Sequence, residues 1–418
     1  MNKILISILC LFVLLVACSA PEAVVEEPAD VAEPEMVDEA DATENMAEEA
    51  TDSEADMAEE TSDMGTSEDV IRIGFSAPLT GDAATYGIDE QRGTLLALED
   101  IEKAGWINGK QLEFIYEDDK CNGKDATTVA NKLVNVDKVK VVVGSSCSGA
   151  TLSLAPITNE AQVILLTSYA SNSKIKDAGD FVFRSIPSDA VLGKRLADAV
   201  NSKSKKVAII TENTDYAQGL RDEFTKRAGE LGLEIVASES FEPDNKDYRT
   251  QLTKIKAVSP DALFVNTQAD TGLAQVMKQA FDLGLEVQMY AAYFGGSRVV
   301  TEVLSEKAEG LIWADLLDPK FSDNGKALID RYEEKFGSVP VLNSAVALAY
   351  DRTMIIANAL KACGEDSICI RDWLYNMDAY NGITGNVEFD EDGEAVGVEH
   401  AIYVLKAGEP ELVEDLEE

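Results

Sequence analysis

The residues with the strongest claim to chemistry lie in two short loops. Residues 144–149 read GSSCSG and follow an apolar run at 139–143, with helical spacing beyond Ala150. The first N–H groups of a helix have no partner within it, and the helix dipole favours an anion there. The Ser148 hydroxyl adds a further hydrogen bond to such a place. The same residues would also make an ordinary strand-to-helix turn with a serine cap. Residues 167–172 read TSYASN and follow a second apolar run that ends at Leu166. Ligands of open α/β sheets sit beyond the carboxyl ends of strands, where both loops fall. Bond-making chemistry finds little support. The spacing Gly144-x-Ser146-x-Ser148 is not a G-x-S-x-G elbow. The single histidine, His400, lies far along the chain with no evident triad partner. No GxxxxGK[ST] loop is present, so the chain shows no sign of being an ATPase. A binding protein is expected, with no enzyme activity and no cofactor.

The six cysteines sort by position. Cys10 and Cys18 fall at the N-terminus. Cys121, Cys147, Cys363 and Cys369 remain, and four cysteines allow three pairings. Proximity favours Cys363 with Cys369, which leaves Cys121 with Cys147. A zinc site is the alternative, but no CxxC pair supports it, and no metal is expected.

The N-terminus argues for export. Lys3 precedes a mostly apolar run from Ile4 to Val16, which is short for a membrane span. It reads as a secretory signal. The run ends in LVAC at 15–18, which looks like a bacterial lipobox with Cys18 as the lipidated residue. Residues 19–69 hold 20 Asp or Glu, no Lys or Arg and no aromatic residue. Such a segment buries too little apolar surface to offset its chain entropy, so a disordered, extended tether is expected. It carries about half of the net charge of −41. The acidic remainder would repel nucleic acid.

From Val70 onward the pattern alternates strand and helix. Strands are expected at 70–76, 112–116, 139–143 and 163–166, with helices at 86–103, 125–136 and 152–160. Runs that are apolar on both faces suit parallel sheets covered by helices. A second array follows. Strands at 207–211, 233–238, 262–266 and 287–291 alternate with helices at 216–231, 248–258 and 271–283, and the last strand closes the set. Helices are expected at 326–336, 345–362 and 370–377. The runs 385–390 and 399–405 flank a turn at Gly393 and read as one hairpin. Two successive α/β arrays imply two lobes.

These residues together resemble a known family. IRIGFSAPLTG at 71–81 followed by Tyr86 and Gly87, YEDDKC at 116–121, ANKLV at 130–134, GSSCSG at 144–149, TDYAQG at 214–219 and FDEDG at 389–393 resemble the leucine/isoleucine/valine-binding proteins in order and spacing. The resemblance runs from about 70 to about 407. It implies a type I periplasmic-binding fold: two Rossmann-like lobes with parallel sheets, joined by three crossovers and closing over a ligand. The implied segments are a signal at 1–17, a lipidated cysteine and tether at 18–69, the first lobe at 70–188 and the second at 189–313. The first lobe returns at 314–384, the second returns as the hairpin at 385–407, and an acidic tail fills 408–418. It further implies an extracytoplasmic, lipid-anchored monomer that serves an ABC importer, with permease and ATPase as separate chains. The ligand is expected to be a small amino acid, most readily a branched-chain one. An amide, urea, an aromatic acid, or service to a sensor instead of a transporter are the alternatives.

The resemblance also assigns site residues. Ser148, Ala170 and Ser171 match positions that hold the ligand's main-chain groups, and Tyr86 and Tyr216 match aromatic walls, one per lobe. The family acid that pairs with the ligand ammonium falls at or near Tyr293, where no acid stands. Asp270 lies close to a position where an aromatic is expected. It is either the substitute ammonium partner or the cap of the helix that follows.

Overall fold

A computed structural model describes residues 69–413, and all that follows concerns these. The apolar leader, Cys18, almost all of the acidic segment and residues 414–418 lie outside them. The first sheet is built from β1 (Val70–Ala77), β2 (Gln111–Asp118), β3 (Val141–Gly144), β4 (Ile164–Thr167) and β5 (Val182–Arg184). Its order is β2-β1-β3-β4-β5 with every pair parallel. β3 and β4 are buried at every residue, which is why their sequences, VVVG and ILLT, carry no alternation. Helices α1 (Ala84–Lys103), α2 (Gly123–Asn131) and α3 (Ser148–Glu160) connect the strands, and α2 continues through one wider turn to Val136.

The chain then leaves this sheet through 185–188. Helix α4 (Asp189–Lys203) opens the second lobe, followed by β6 (Lys206–Glu212), α5 (Asp215–Leu231), β7 (Glu234–Phe241), α6 (Arg249–Ala257), β8 (Ala262–Asn266), α7 (Asp270–Asp282), β9 (Gln288–Ala292), α8 (Arg298–Leu304) and β10 (Ile312–Leu316). Residues 317–322 lead back to the first lobe, where α9 (Asp323–Phe336), α10 (Asn343–Cys363) and α11 (Ser367–Asn376) follow. α10 lies along α1, and its buried face carries Leu348, Ile355, Ile356 and Leu360. A small sheet of β11 (Tyr380–Asn381), β12 (Asn386–Phe389) and β13 (Ala395–Val396) comes next, then β14 (His400–Lys406) and β15 (Glu409–Leu412). The second sheet has the order β15-β14-β10-β9-β8-β6-β7. The chain thus passes between the two large sheets three times, at 185–188, 317–322 and 397–399.

Three features depart from the sequence reading. The second array does not close at 291, because β10 pairs parallel with β9 and antiparallel with β14. The expected hairpin is divided. β12 pairs with β11 and β13, while β14 pairs with β10 and β15. The Arg184 N–H donates to the Gly393 carbonyl at 3.0 Å, so the turn at 390–393 belongs with the first sheet. Residues 385–396 therefore lie on the first lobe, and the second-lobe return begins near 397. β12 alternates buried and exposed residues while β14 buries Ile402 and Tyr403 in succession, and neither pattern names the strand's partners. Helix α4 was also not anticipated. It has a Ser188 cap and buries Leu192, Leu196, Ala197 and Val200.

Candidate functional site

The carboxyl ends of β1, β3 and β4 face those of β6, β8 and β9 across the boundary between lobes. Each expected site residue lies in a loop or first helical turn at these ends. Ser148 is the first residue of α3. Its cap residue, Cys147, makes no side-chain hydrogen bond to the helix, so the first-turn N–H groups keep their donor capacity. The Ser148 hydroxyl accepts from the Asn172 N–H at 3.2 Å, which ties the two serine-containing loops together. The loop needs glycine at 144. Its φ is +109°, and an added Cβ would lie 1.8 Å from the Ser76 carbonyl oxygen. Cys121 and Cys147 are bonded, with Cα atoms 5.3 Å apart, and so fix the residue before Ser148. Cys363 and Cys369 are bonded as well.

The second loop is held from beneath by two buried arginines. Arg184 Nη1 donates to the carbonyls of Ser171 and Asn172, at 2.8 Å each, while Nη2 pairs with Glu394. Arg352 Nη1 donates to Ser168 Oγ at 2.8 Å and to Glu90 at 3.2 Å. Both arginine side chains are fully buried, so their partners carry the cost of desolvation.

Several buried polar atoms here make no hydrogen bond of normal geometry: Ser146 Oγ, Ser171 Oγ, Tyr216 OH and both carboxyl oxygens of Asp189. Asp189 opens α4 at the first crossing between lobes, and its N–H donates to the Ser171 carbonyl at 2.7 Å. Burial pushes its carboxyl up to about 7, opposed by the nearby Ser171 hydroxyl and the Arg184 charge and aided by Glu223. Such a carboxyl calls for a cationic partner. Sequence reasoning missed it because Ser188-Asp189 reads as a helix start, which it also is.

Asp270 is occupied instead. Its carboxylate accepts from the Thr271 N–H at 2.8 Å, Ser297 Oγ at 2.7 Å and Thr85 Oγ1 at 3.3 Å. Of its two expected roles, it opens α7 and meets the first lobe through Thr85, with no carboxyl oxygen left unpartnered.

Aromatic rings line the boundary. Tyr86 and Tyr169 come from the first lobe; Tyr216, Tyr293 and Phe294 come from the second. Centroids are 5.6 Å apart for Tyr86–Phe294, 5.3 Å for Tyr169–Tyr293 and 6.1 Å for Tyr216–Tyr293. Tyr86 OH lies 3.1 Å from Cys147 Sγ and accepts from Gln268 Nε2 at 3.3 Å. Tyr293 OH is 2.9 Å from His400 Nε2. Burial, with the Arg195 and Arg184 charges, lowers His400 to about 3, so it is a neutral partner at physiological pH. Ala170 is fully buried, but in the apolar cluster of Val142, Leu154 and Ile175 and not in that of the rings. Tyr169, Phe294, His400 and Asp189 were not legible as site residues, since only the fold brings them together.

Two lobes with facing strand ends, crossed three times by the chain, form a boundary suited to holding a ligand. The chain belongs to the periplasmic binding protein family, whose model matches residues 70–409. It is 31% identical over 346 residues to a leucine-, isoleucine-, valine-, threonine- and alanine-binding protein of Pseudomonas aeruginosa, covering 80% of this chain and 90% of that one. It is also similar to a solved branched-chain amino acid transporter substrate-binding protein of Streptococcus pneumoniae in complex with isoleucine. That likeness has 29% identity and TM-score 0.75 and covers 82% of this chain and 99% of the other. A leucine-binding protein of Thermotoga maritima matches with 25% identity and TM-score 0.75, over 82% and 97% of the two chains.

Proposed function

We propose that this protein captures an α-amino acid outside the cytoplasm and delivers it to the permease of an ABC importer. It would be held to the membrane by lipid on Cys18, with the acidic segment as a spacer. The observation that carries the ligand reading is Asp189. A buried carboxyl without a partner lies beside Ser171 and near Tyr216, in a site whose other side offers the first turn of α3. An α-amino acid supplies both complements. Its ammonium pairs with Asp189, and its carboxylate takes the N–H groups and hydroxyls of the Ser146–Ser148 loop. The pairing proposed from sequence for Asp270 passes to Asp189, because Asp270 has its hydrogen bonds already. An aromatic acid, an amide or urea has no cation to offer Asp189, which places them behind an amino acid. The printed names of two relatives point the same way, one binding leucine, isoleucine, valine, threonine and alanine and the other in complex with isoleucine.

Calorimetry tests this reading. Wild type should bind an aliphatic amino acid, and Asp189→Asn should weaken it at least about thirtyfold, in the range for breaking a buried charge pair. The deaminated analogue should lose little affinity with the same substitution. Equal loss for both ligands, or no binding of any amino acid by wild type, would reject the assignment. Mass spectrometry of ligand carried through purification identifies the natural one.

A further inference from the structure

We infer, resting on the amino acid reading above, that the cleft selects a small side chain, from alanine to valine in size, and rejects leucine and aromatic residues. Two ring pairs cross the boundary between the two lobes, Tyr86 with Phe294 and Tyr169 with Tyr293, at centroid separations of 5.6 and 5.3 Å. Rings at such distances are in van der Waals contact, with no layer of methylene groups between them. All four residues are at most 4% exposed.

Nor are the rings free to swing aside. Tyr169 OH is 2.8 Å from Ser344 Oγ, and Tyr293 OH is 2.9 Å from His400 Nε2. Tyr86 OH is held by Gln268 from the opposite lobe. The Tyr293 backbone has φ +48°, and its N–H donates to the Ala314 carbonyl at 2.7 Å, so the residue has little latitude to turn away. A long side chain must therefore hold the lobes apart. It would lose the contacts that exist only between closed lobes: Gln268 with Tyr86, Asp270 with Thr85, and Asn172 Nδ2 with the Asp215 carbonyl at 2.6 Å. Those losses penalise the closed complex of a large ligand and not that of a small one. Tyr293, which meets Tyr169 across the boundary and is held by His400, is thus the residue that sets the limit.

The test is a titration of the wild-type mature protein with alanine, 2-aminobutyrate, valine, leucine and phenylalanine. An open apolar pocket would reward each added methylene by about fourfold. Here affinity should instead fall at least about tenfold from valine to leucine, and phenylalanine should not bind. Tyr293→Val should raise the affinity for leucine relative to alanine, and Phe294→Leu, a milder change, should move the ratio in the same direction. Leucine binding as tightly as valine to the wild type would overturn the size limit and leave the amino acid reading standing. Failure of all five to bind would overturn both.

Discussion

At the residue scale, Asp189 links stability and binding with opposite signs. Its carboxyl is raised to about 7 by burial, while an unfolded chain ionises near the ordinary aspartate value of about 4. Between those values the native state holds the extra proton. The contribution of this group to stability is therefore fullest below about pH 4 and declines as pH rises towards 7. The groups facing it are Arg184, Glu223, Ser171, Tyr216 and Tyr293. Without ligand, Asp189→Asn should stabilise the protein at pH 8 by on the order of 2–4 kcal/mol and change little near pH 4. Denaturant unfolding at the two pH values measures this. Affinity of the wild type for an amino acid should fall on acidification below 7, since the protonated carboxyl no longer pairs with the ammonium, and the substituted protein should show a flat profile. A stability gain that is the same at pH 4 and pH 8 would show that the charge of Asp189 is not its cause. The serines were legible because they follow strand ends in a recognisable pattern. Asp189 was not, because an aspartate after a serine at a helix start already has a local explanation.

Elements position these residues through a few covalent and ionic ties. The Cys121–Cys147 bond joins the loop after β2 to the residue before α3, and its sequence separation is 26, against 6 for Cys363–Cys369. In the chain-entropy model the longer loop is worth about 3 kcal/mol and the shorter about 2. Replacing Cys121 and Cys147 by serine should therefore lower stability by about 2–4 kcal/mol in denaturant unfolding and also weaken ligand binding, because α3 loses the anchor of its first turn. Replacing Cys363 and Cys369 should cost less and leave affinity unchanged. Equal affinity loss for both pairs would mean that the effect is general destabilisation. Arg184 is the second tie. It holds the Ser171 and Asn172 carbonyls and pairs with Glu394 beside β13. Arg184→Met strands the Glu394 carboxyl and two carbonyls, and should destabilise by about 3–5 kcal/mol. The strand–helix order of both arrays was readable from apolar runs and helical spacing. The placement of β12 and β13 was not, since it rests on Arg184 meeting Gly393 and Glu394 across some two hundred residues of chain.

At the scale of the whole molecule, the two lobes stand closed against each other. Asn172 reaches Asp215, Gln268 reaches Tyr86, and Lys246 meets Asp82 at 2.7 Å. The Lys246–Asp82 pair is more than half exposed on both sides, so it adds little and should not make closure sensitive to salt. The buried contacts matter more, and one of them depends on glycine. A Cβ at Gly219 would lie 2.4 Å from Asn172 Nδ2, which is itself pinned by the Asp215 carbonyl. Gly219→Ala should thus wedge the lobes apart while leaving each lobe folded. Small-angle scattering should show a smaller radius of gyration for the wild type with an aliphatic amino acid than without it, because contacts to both lobes exist only in the closed form. In Gly219→Ala the ligand should bind at least about tenfold more weakly and produce less contraction. A wild-type profile that does not change at saturating ligand would argue against hinge closure through 185–188, 317–322 and 397–399. A variant that contracts as fully as the wild type would show that Asn172 yields, and that closure is set by the aromatic pairs instead.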